Sequence, residues 1–328
     1  MARHGKMWVL VVVLALVAAG CGDDAGDGAG GTTTTGGSSS TTGSATRGEA
    51  TQLTVVAEDF SFSGVPEQLQ AGVLDITFEN SGQLEHELAF VEIGDTPLDE
   101  VGTALAPTIE GGPFPDFLEN LAIPLTIPGG ETAQTSALLA AGNYALICAL
   151  TGARPEPGAT TTTGGGPDEQ GAQGPPHYEL GMIQPVTVTG DAAQLSLPQA
   201  ESTVTARDYA FDVDVSAGRQ TVNFTNQGPE QVHHGVFFAF REGVDEAAAE
   251  SALRTLVTSE DEEAPPPPEI DIEATEQNFG IFSTGLGASY DAEFEAGRTY
   301  AVVCFIQDRA GGPPHLIAHD MKEIFTVQ

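Results

Sequence analysis

Positive charge is scarce in this 328-residue chain: 11 Lys and Arg stand against 47 Asp and Glu, a net charge of −36. A nucleic-acid binder needs a basic face for the phosphates, and so does a protein that docks on anionic lipid through its own charge; neither class fits. Long apolar runs are missing too. The longest, Met7–Ala19, is too short for a comfortable membrane span. The chain has no Gly-x-Ser-x-Gly nucleophile turn, no Walker loop and no dinucleotide fingerprint. It also lacks the paired Cys and His spacing of a structural zinc site. Cys (3), Met (4), His (7) and Trp (1) are all rare. What is plentiful is Gly (40), Pro (21) and apolar residues at 40%. That balance supports real cores in a loop-rich, β-rich protein rather than a chain disordered throughout.

The N-terminus reads as a targeting segment. Arg3, His4 and Lys6 precede the apolar run, which ends in Val17-Ala18-Ala19-Gly20-Cys21. This resembles the lipobox of bacterial lipoproteins, which implies removal of residues 1–20 and lipidation of Cys21. Residues 21–50 are then a disordered, low-complexity tether of Gly, Thr, Ser, Ala and Asp, with an average reach of about 30 Å. The expected location is the cell membrane, lipid-anchored and facing the extracytoplasmic side, with membrane contact through the lipid alone. Losing Arg3 and Lys6 takes the net charge from −36 to −38. The exported chain keeps six His (86, 177, 233, 234, 315 and 319), Met182 and Met321, and Cys148 and Cys304 beside Cys21.

Those scarce residues fall in an internal repeat. Leu53–Phe62 corresponds to Ser202–Phe211, and Asp75–Gly82 to Thr221–Gly228. A His follows each: His86 in the first half, His233-His234 in the second. Ala141-Gly142-Asn143-Tyr144 leads to Cys148, and Ala296-Gly297-Arg298-Thr299-Tyr300 to Cys304. Each half then has Pro-Pro-His, ending in His177 or His315, then Met182 or Met321, then a strand-like tail. Two domains are expected, at residues 51–190 and 201–328, with a linker at 191–200. Short β-branched and aromatic runs bounded by Gly and Asn, such as Val73–Phe78, Thr221–Phe224 and Tyr300–Phe305, predict strands. Helical patterning is confined to Thr96–Leu105 and Val244–Val257. Ser259–Ile272, acidic with four consecutive prolines, predicts an exposed, mobile loop.

A thiolate, two imidazoles and a thioether suit an ion cycling between Cu(I) and Cu(II). The order of an upstream His, then Cys, His and Met occurs in both halves and resembles the cupredoxin family of blue copper proteins. The resemblance implies an all-β chain of two tandem Greek-key β-sandwich domains, each holding one type 1 copper, two per chain. It implies the ligands His86, Cys148, His177 and Met182 in the first domain, and His234, Cys304, His315 and Met321 in the second. His233 and His319 are the alternates. His234 is preferred because it precedes Phe238 by four residues, as His86 precedes Phe90. The 28 residues between Cys148 and His177 are many for this family, and such a loop is expected to loosen or expose the first site.

The implied role is single-electron transfer with a redox partner protein, the imidazoles offering the electron an exit through an exposed edge. Two alternatives stand beside it. One is copper storage or delivery at the cell surface, but the chain has no Met or His cluster for it. The other is a copper oxidoreductase of the nitrite reductase or small laccase type. Such enzymes bind further coppers through His-x-His and His-Cys-His patterns, and neither occurs here. An electron-transfer protein without a substrate of its own is therefore the expected reading.

Overall fold

The computed structural model describes residues 50–152, 174–190, 196–259, 265–275 and 278–328. The leader, Cys21 and the tether lie outside these residues. In the first half the strands are β1 (Thr51–Glu58), β2 (Ser61–Ser63), β3 (Gln68–Gln70), β4 (Gly72–Asn80), β5 (His86–Glu92), β6 (Leu121–Ile127), β7 (Thr132–Leu139), β8 (Gly142–Ile147) and β9 (Ile183–Thr189). In the second they are β10 (Ser202–Arg207), β11 (Ala210–Asp214), β12 (Gly218–Asn226), β13 (His233–Ala239), β14 (Asn278–Phe282), β15 (Gly287–Phe294), β16 (Thr299–Val303) and β17 (Lys322–Thr326).

These strands build two sheets, and each sheet runs through both halves. One has the order β11-β10-β12-β15-β7-β4-β1-β2, the other β17-β16-β13-β14-β6-β5-β8-β9-β3. In each half the opening strand pairs in parallel with a later one, β1 with β4 and β10 with β12. The protein is thus the all-β, two-sheet sandwich that the cupredoxin resemblance implies. The halves meet edge to edge: β7 pairs antiparallel with β15, and β6 with β14. Pairing covers edges that would otherwise expose unpaired backbone groups.

Side-chain alternation explains which face is inside. On β1 and β4 every second residue is buried, Leu53, Val55 and Ala57 against Leu74, Ile76 and Phe78. In the second half Val204 and Ala206 match Val222 and Phe224, and all join one apolar core that spans both halves. β5 departs from alternation, because six of its seven residues are buried. Its inner face meets the opposite sheet. Its outer face, Ala89 and Val91, packs with Val101 and Leu105 of a helix at Leu98–Ile109. A second helix, Glu246–Thr258, covers the outer face of the other half with Ala249, Ala252 and Leu253. The Asp245 carboxylate caps it by accepting the Ala248 N–H at 2.9 Å.

Two loop expectations change. The described part of the acidic Ser259–Ile272 stretch is anchored rather than free: Ile270 is buried under the second helix, and Asp271 N donates to the Ala239 carbonyl at 2.9 Å. Residues 191–195 of the linker lie outside the described residues, but Leu197 enters the core and the Pro198 carbonyl accepts from Asn223 Nδ2 at 2.7 Å. An apolar side chain flanking a turn-rich segment gains more by burial than by staying in water.

Candidate metal centres

Each half closes one end of its sandwich with the same set of turns. Asn80 and Asn226, both buried, end β4 and β12. Asn80 Nδ2 donates to the Leu84 and Ile127 carbonyls, and Asn226 Nδ2 to those of Gln231 and Phe282. These bonds fix the loops that deliver His86 and His233 to the first positions of β5 and β13. Cys148 and Cys304 follow directly on β8 and β16. The Cys-to-His loops are then zipped at both ends. His177 N donates to the Leu150 carbonyl (2.9 Å) and Thr151 bridges to Pro176. Likewise His315 N donates to the Ile306 carbonyl (2.8 Å) and Gln307 bridges to Pro314. Residues 153–173 of the long first loop lie outside the described residues. Its pinned ends hold His177 buried, so the expected exposure of that site is not seen.

Three donor atoms converge in the first half. Cys148 Sγ lies 3.7 Å from His86 Nδ1 and 3.4 Å from His177 Nδ1, and the two Nδ1 atoms are 3.1 Å apart. The point equidistant from the three lies about 2 Å from each, the length of a metal–imidazole bond and a little short of a metal–thiolate bond. In the second half Cys304 Sγ lies 3.8 Å from His233 Nδ1 and 3.4 Å from His315 Nδ1. The two imidazole rings sit 4.9 Å apart in both sites. All six side chains are buried. Met182 and Met321 are fully buried beside them. Met182 O accepts from Cys148 N (3.2 Å) while Met182 N donates to the His177 carbonyl (3.0 Å), and Met321 repeats both bonds with Cys304 and His315. The chain turns into each Met through a left-handed residue, Gly181 (φ 118°) or Asp320 (φ 57°).

The second site corrects the choice of upstream His. His233, not His234, joins Cys304 and His315. His234 instead accepts the Phe305 N–H at 2.7 Å through Nε2 and meets the Phe305 ring edge-on. Its counterpart is Glu87, whose Oε1 accepts the Ala149 N–H at 2.8 Å. Strand register explains the error. Phe90 pairs with Leu146 and Phe237 with Val302, so Phe237 is the equivalent of Phe90. Counting four back from Phe237 gives His233; the doubled Phe237-Phe238 hid the frame. His319 is not in the donor group either. Its ring stacks on Tyr209 at 3.6 Å and its Nε2 lies 3.0 Å from Asp308 Oδ2.

The surroundings suit a cation. Burial lowers the pKa of His86, of His177 to about 4, of His315 to about 4 and of His233 to about 3, leaving neutral imidazoles with free lone pairs. Burial raises the Cys148 thiol, with help from Glu87, and pushes Cys304 up to about 12. A thiolate at these positions therefore requires a positive ion in place of the proton. The four Nε2 atoms are buried and, among the described residues, lack a well-aligned hydrogen-bond acceptor. Asp59 stands 3.5 Å from His86 Nε2, and Asp308 stands 3.3 Å from His315 Nε2. Such carboxylates fix the tautomer that presents Nδ1 to a metal. The exposed imidazole edge expected from the sequence is absent: Phe60 packs edge-on against His177, and Tyr209 against His315. Sequence inspection passed over Asp59 and Asp308, although Asp59 and Asp208 sit in the repeated Glu58-Asp59-Phe60 and Arg207-Asp208-Tyr209 turns.

Four buried neutral histidines make the metal-free protein acid-sensitive. Between pH 6.5 and about 4 the unfolded chain binds protons that the folded one refuses, so stability falls as pH drops through that window. Thermal unfolding of the metal-free protein is expected to move down by several degrees from pH 7 to pH 5. An unchanged midpoint would show that these imidazoles are protonated or solvated in the fold.

Two soft thiolates, each with two imidazoles and a neighbouring thioether, are donor sets for copper, and there are two per chain. They lie at opposite ends of the joined sheet. His86 is level with Ile127, and His233 with Ala122 through Phe282; three strand spacings separate β5 from β13. The sites are therefore about 20 Å apart.

No protein-family model matches the chain, and no curated protein matches it. Solved structures do. Reduced auracyanin from Roseiflexus castenholzii is 16% identical, covering 44% of this chain and 100% of its own, with a TM-score of 0.27. Auracyanin A from Chloroflexus aurantiacus, described as a "blue" copper protein, is 19% identical over 43% of this chain and 100% of its own, with a TM-score of 0.26. Copper nitrite reductase from Nitrosomonas europaea is 15% identical over 85% of this chain and 94% of its own, with a TM-score of 0.21. At these values the similarities assign no activity to this chain.

Proposed function

We propose that this protein is an extracytoplasmic, lipid-anchored electron carrier with one type 1 copper in each half. The carrying observation is the pair of buried triads, each of which brings a thiol sulfur and two imidazole nitrogens together in a rigid sandwich. Bound copper would supply a one-electron Cu(I)/Cu(II) couple. His86, Cys148 and His177, or His233, Cys304 and His315, would hold it, and the thioether of Met182 or Met321 beside them would tune its potential. Burial of the ligands keeps water from the metal and limits rearrangement between oxidation states.

The fate of the remaining histidines favours a carrier over an oxidoreductase. After the triads take four, His234 is engaged by the Phe305 N–H and His319 by Asp308. No pair of imidazoles is left for an additional substrate-binding copper. The lipidated Cys21 and the tether would hold the sandwich near the membrane, and the acidic surface would steer a cationic redox partner.

The test is to load the exported chain with Cu(II) and record copper content and visible absorption. Two coppers per chain with an intense thiolate-to-copper charge-transfer band support the reading. Colourless protein, or turnover of nitrite or phenols by the loaded form, would sink it.

A further inference from the structure

The ligand loop of the second metal site is held from outside its own half. In the second half the loop between Cys304 and His315 leans on the first half, and Arg309 is the point of attachment. Its Nη1 donates to the Leu118 carbonyl (2.6 Å), and its Nη2 to the Glu119 carbonyl (2.8 Å) and to Ser283 Oγ (3.1 Å). Its Nε donates to the Glu230 carbonyl (2.8 Å), and its backbone N–H to Gln231 Oε1 (2.9 Å). Its carbonyl accepts from Phe114 N (2.9 Å), and the guanidinium lies over the Phe114 ring. Gln307 Nε2 adds a bond to the Thr108 carbonyl (2.8 Å).

One side chain thus ties together four segments: the loop that delivers His233, the loop that delivers His315, Ser283 just past β14, and residues 118–119 of the other half. Val232 and Ile306, neighbours of those ligand positions, also pack into the first half's apolar layer. Among the described residues the first site shows no such strut; residues 153–173 of its ligand loop lie outside them.

We infer that Arg309 is a positioning residue for the second metal site, holding His233 and His315 at coordinating separation from Cys304 by clamping their loops to the first half. A planar guanidinium suits the task, since it serves several carbonyls at fixed angles where an ammonium cannot. The inference rests on the copper reading above. It adds that the second site's geometry depends on docking between the halves.

The experiment uses the full exported chain with one site silenced. In a Cys148→Ser background only the second site binds copper, and Arg309→Ala is added. Copper loss to a chelator is expected to speed by about 10–100-fold, as when an outer partner of a metal ligand is removed. The charge-transfer band should also change in position or intensity. In the Cys304→Ser background the same substitution should leave the first site's band and copper loss unchanged, which also reports that the fold persists. Arg309→Lys, the milder variant, should shift the second site in the same direction. Unchanged copper loss and spectrum at the second site in both Arg309 variants would overturn the inference, and so would equal damage at both sites. Absence of a copper band in the Cys148→Ser parent would instead defeat the copper reading itself.

Discussion

Replacing His233 by Ala is expected to take copper content from two per chain to one, while His234→Ala leaves it at two. His233 opens β13 with its Nδ1 3.8 Å from Cys304 Sγ, and it is fully buried. Without it the site keeps one imidazole and one thiol beside the Met321 thioether, one strong donor fewer than the first site, too few to replace the ion's water in a closed pocket. His234, one residue on, must point to the other face of the strand. There it accepts a single N–H from Phe305 and is half-buried, so Ala at this position costs about 1 kcal/mol. That loss should appear as a lower unfolding temperature with the charge-transfer band retained. Metal analysis of the two variants decides the matter: equal copper in both, or the reverse order, would refute this assignment.

Cys148→Ser and Cys304→Ser should each remove one copper and the corresponding part of the visible band, and the double variant should be colourless. Serine has nearly the same shape, and at position 148 it could still accept the Glu87 N–H that now approaches Sγ at 3.5 Å. The fold should therefore survive, with both residues remaining inside the shared core. The chemistry should not survive, because a hydroxyl is a hard, weakly acidic donor and only a thiolate gives the strongly covalent bond behind the colour. The two losses should add, since sites about 20 Å apart with no shared ligand behave independently. A single variant that empties both sites would show that they are coupled through the fold.

Both expectations bear on how much of the fold and its metal centres is legible in the sequence. The repeat is visible because each half ends in Tyr, Cys, Pro-Pro-His and Met in the same order, with Tyr four residues before Cys in both, and because Cys, His and Met are otherwise almost absent. Strand positions such as Val73–Phe78 are visible because β-branched and aromatic residues run together there between Gly and Asn. His233 was misread because the local count was ambiguous: His233-His234 precedes Phe237-Phe238, and either pairing gives four. Register against Val302 settles it, and register is a non-local property. The exposed imidazole edge was misjudged for a related reason. Phe60 and Tyr209 come from turns far upstream in sequence, and only closure of the sandwich lays them over His177 and His315.

The donor types, their order, their duplication and the β character of the chain are legible in the primary structure. All of these follow from residue identity and short-range periodicity. Tertiary structure alone decided which His of the pair turns inward. It decided that two expected domains share both sheets through β6–β14 and β7–β15. It also decided that Arg309 bonds across the halves to Leu118 and Glu119, some 190 residues away. The physical reason is the same in each case. Backbone pairing and burial bring together groups whose separation along the chain carries no pattern, so their meeting is fixed only when the whole sandwich closes.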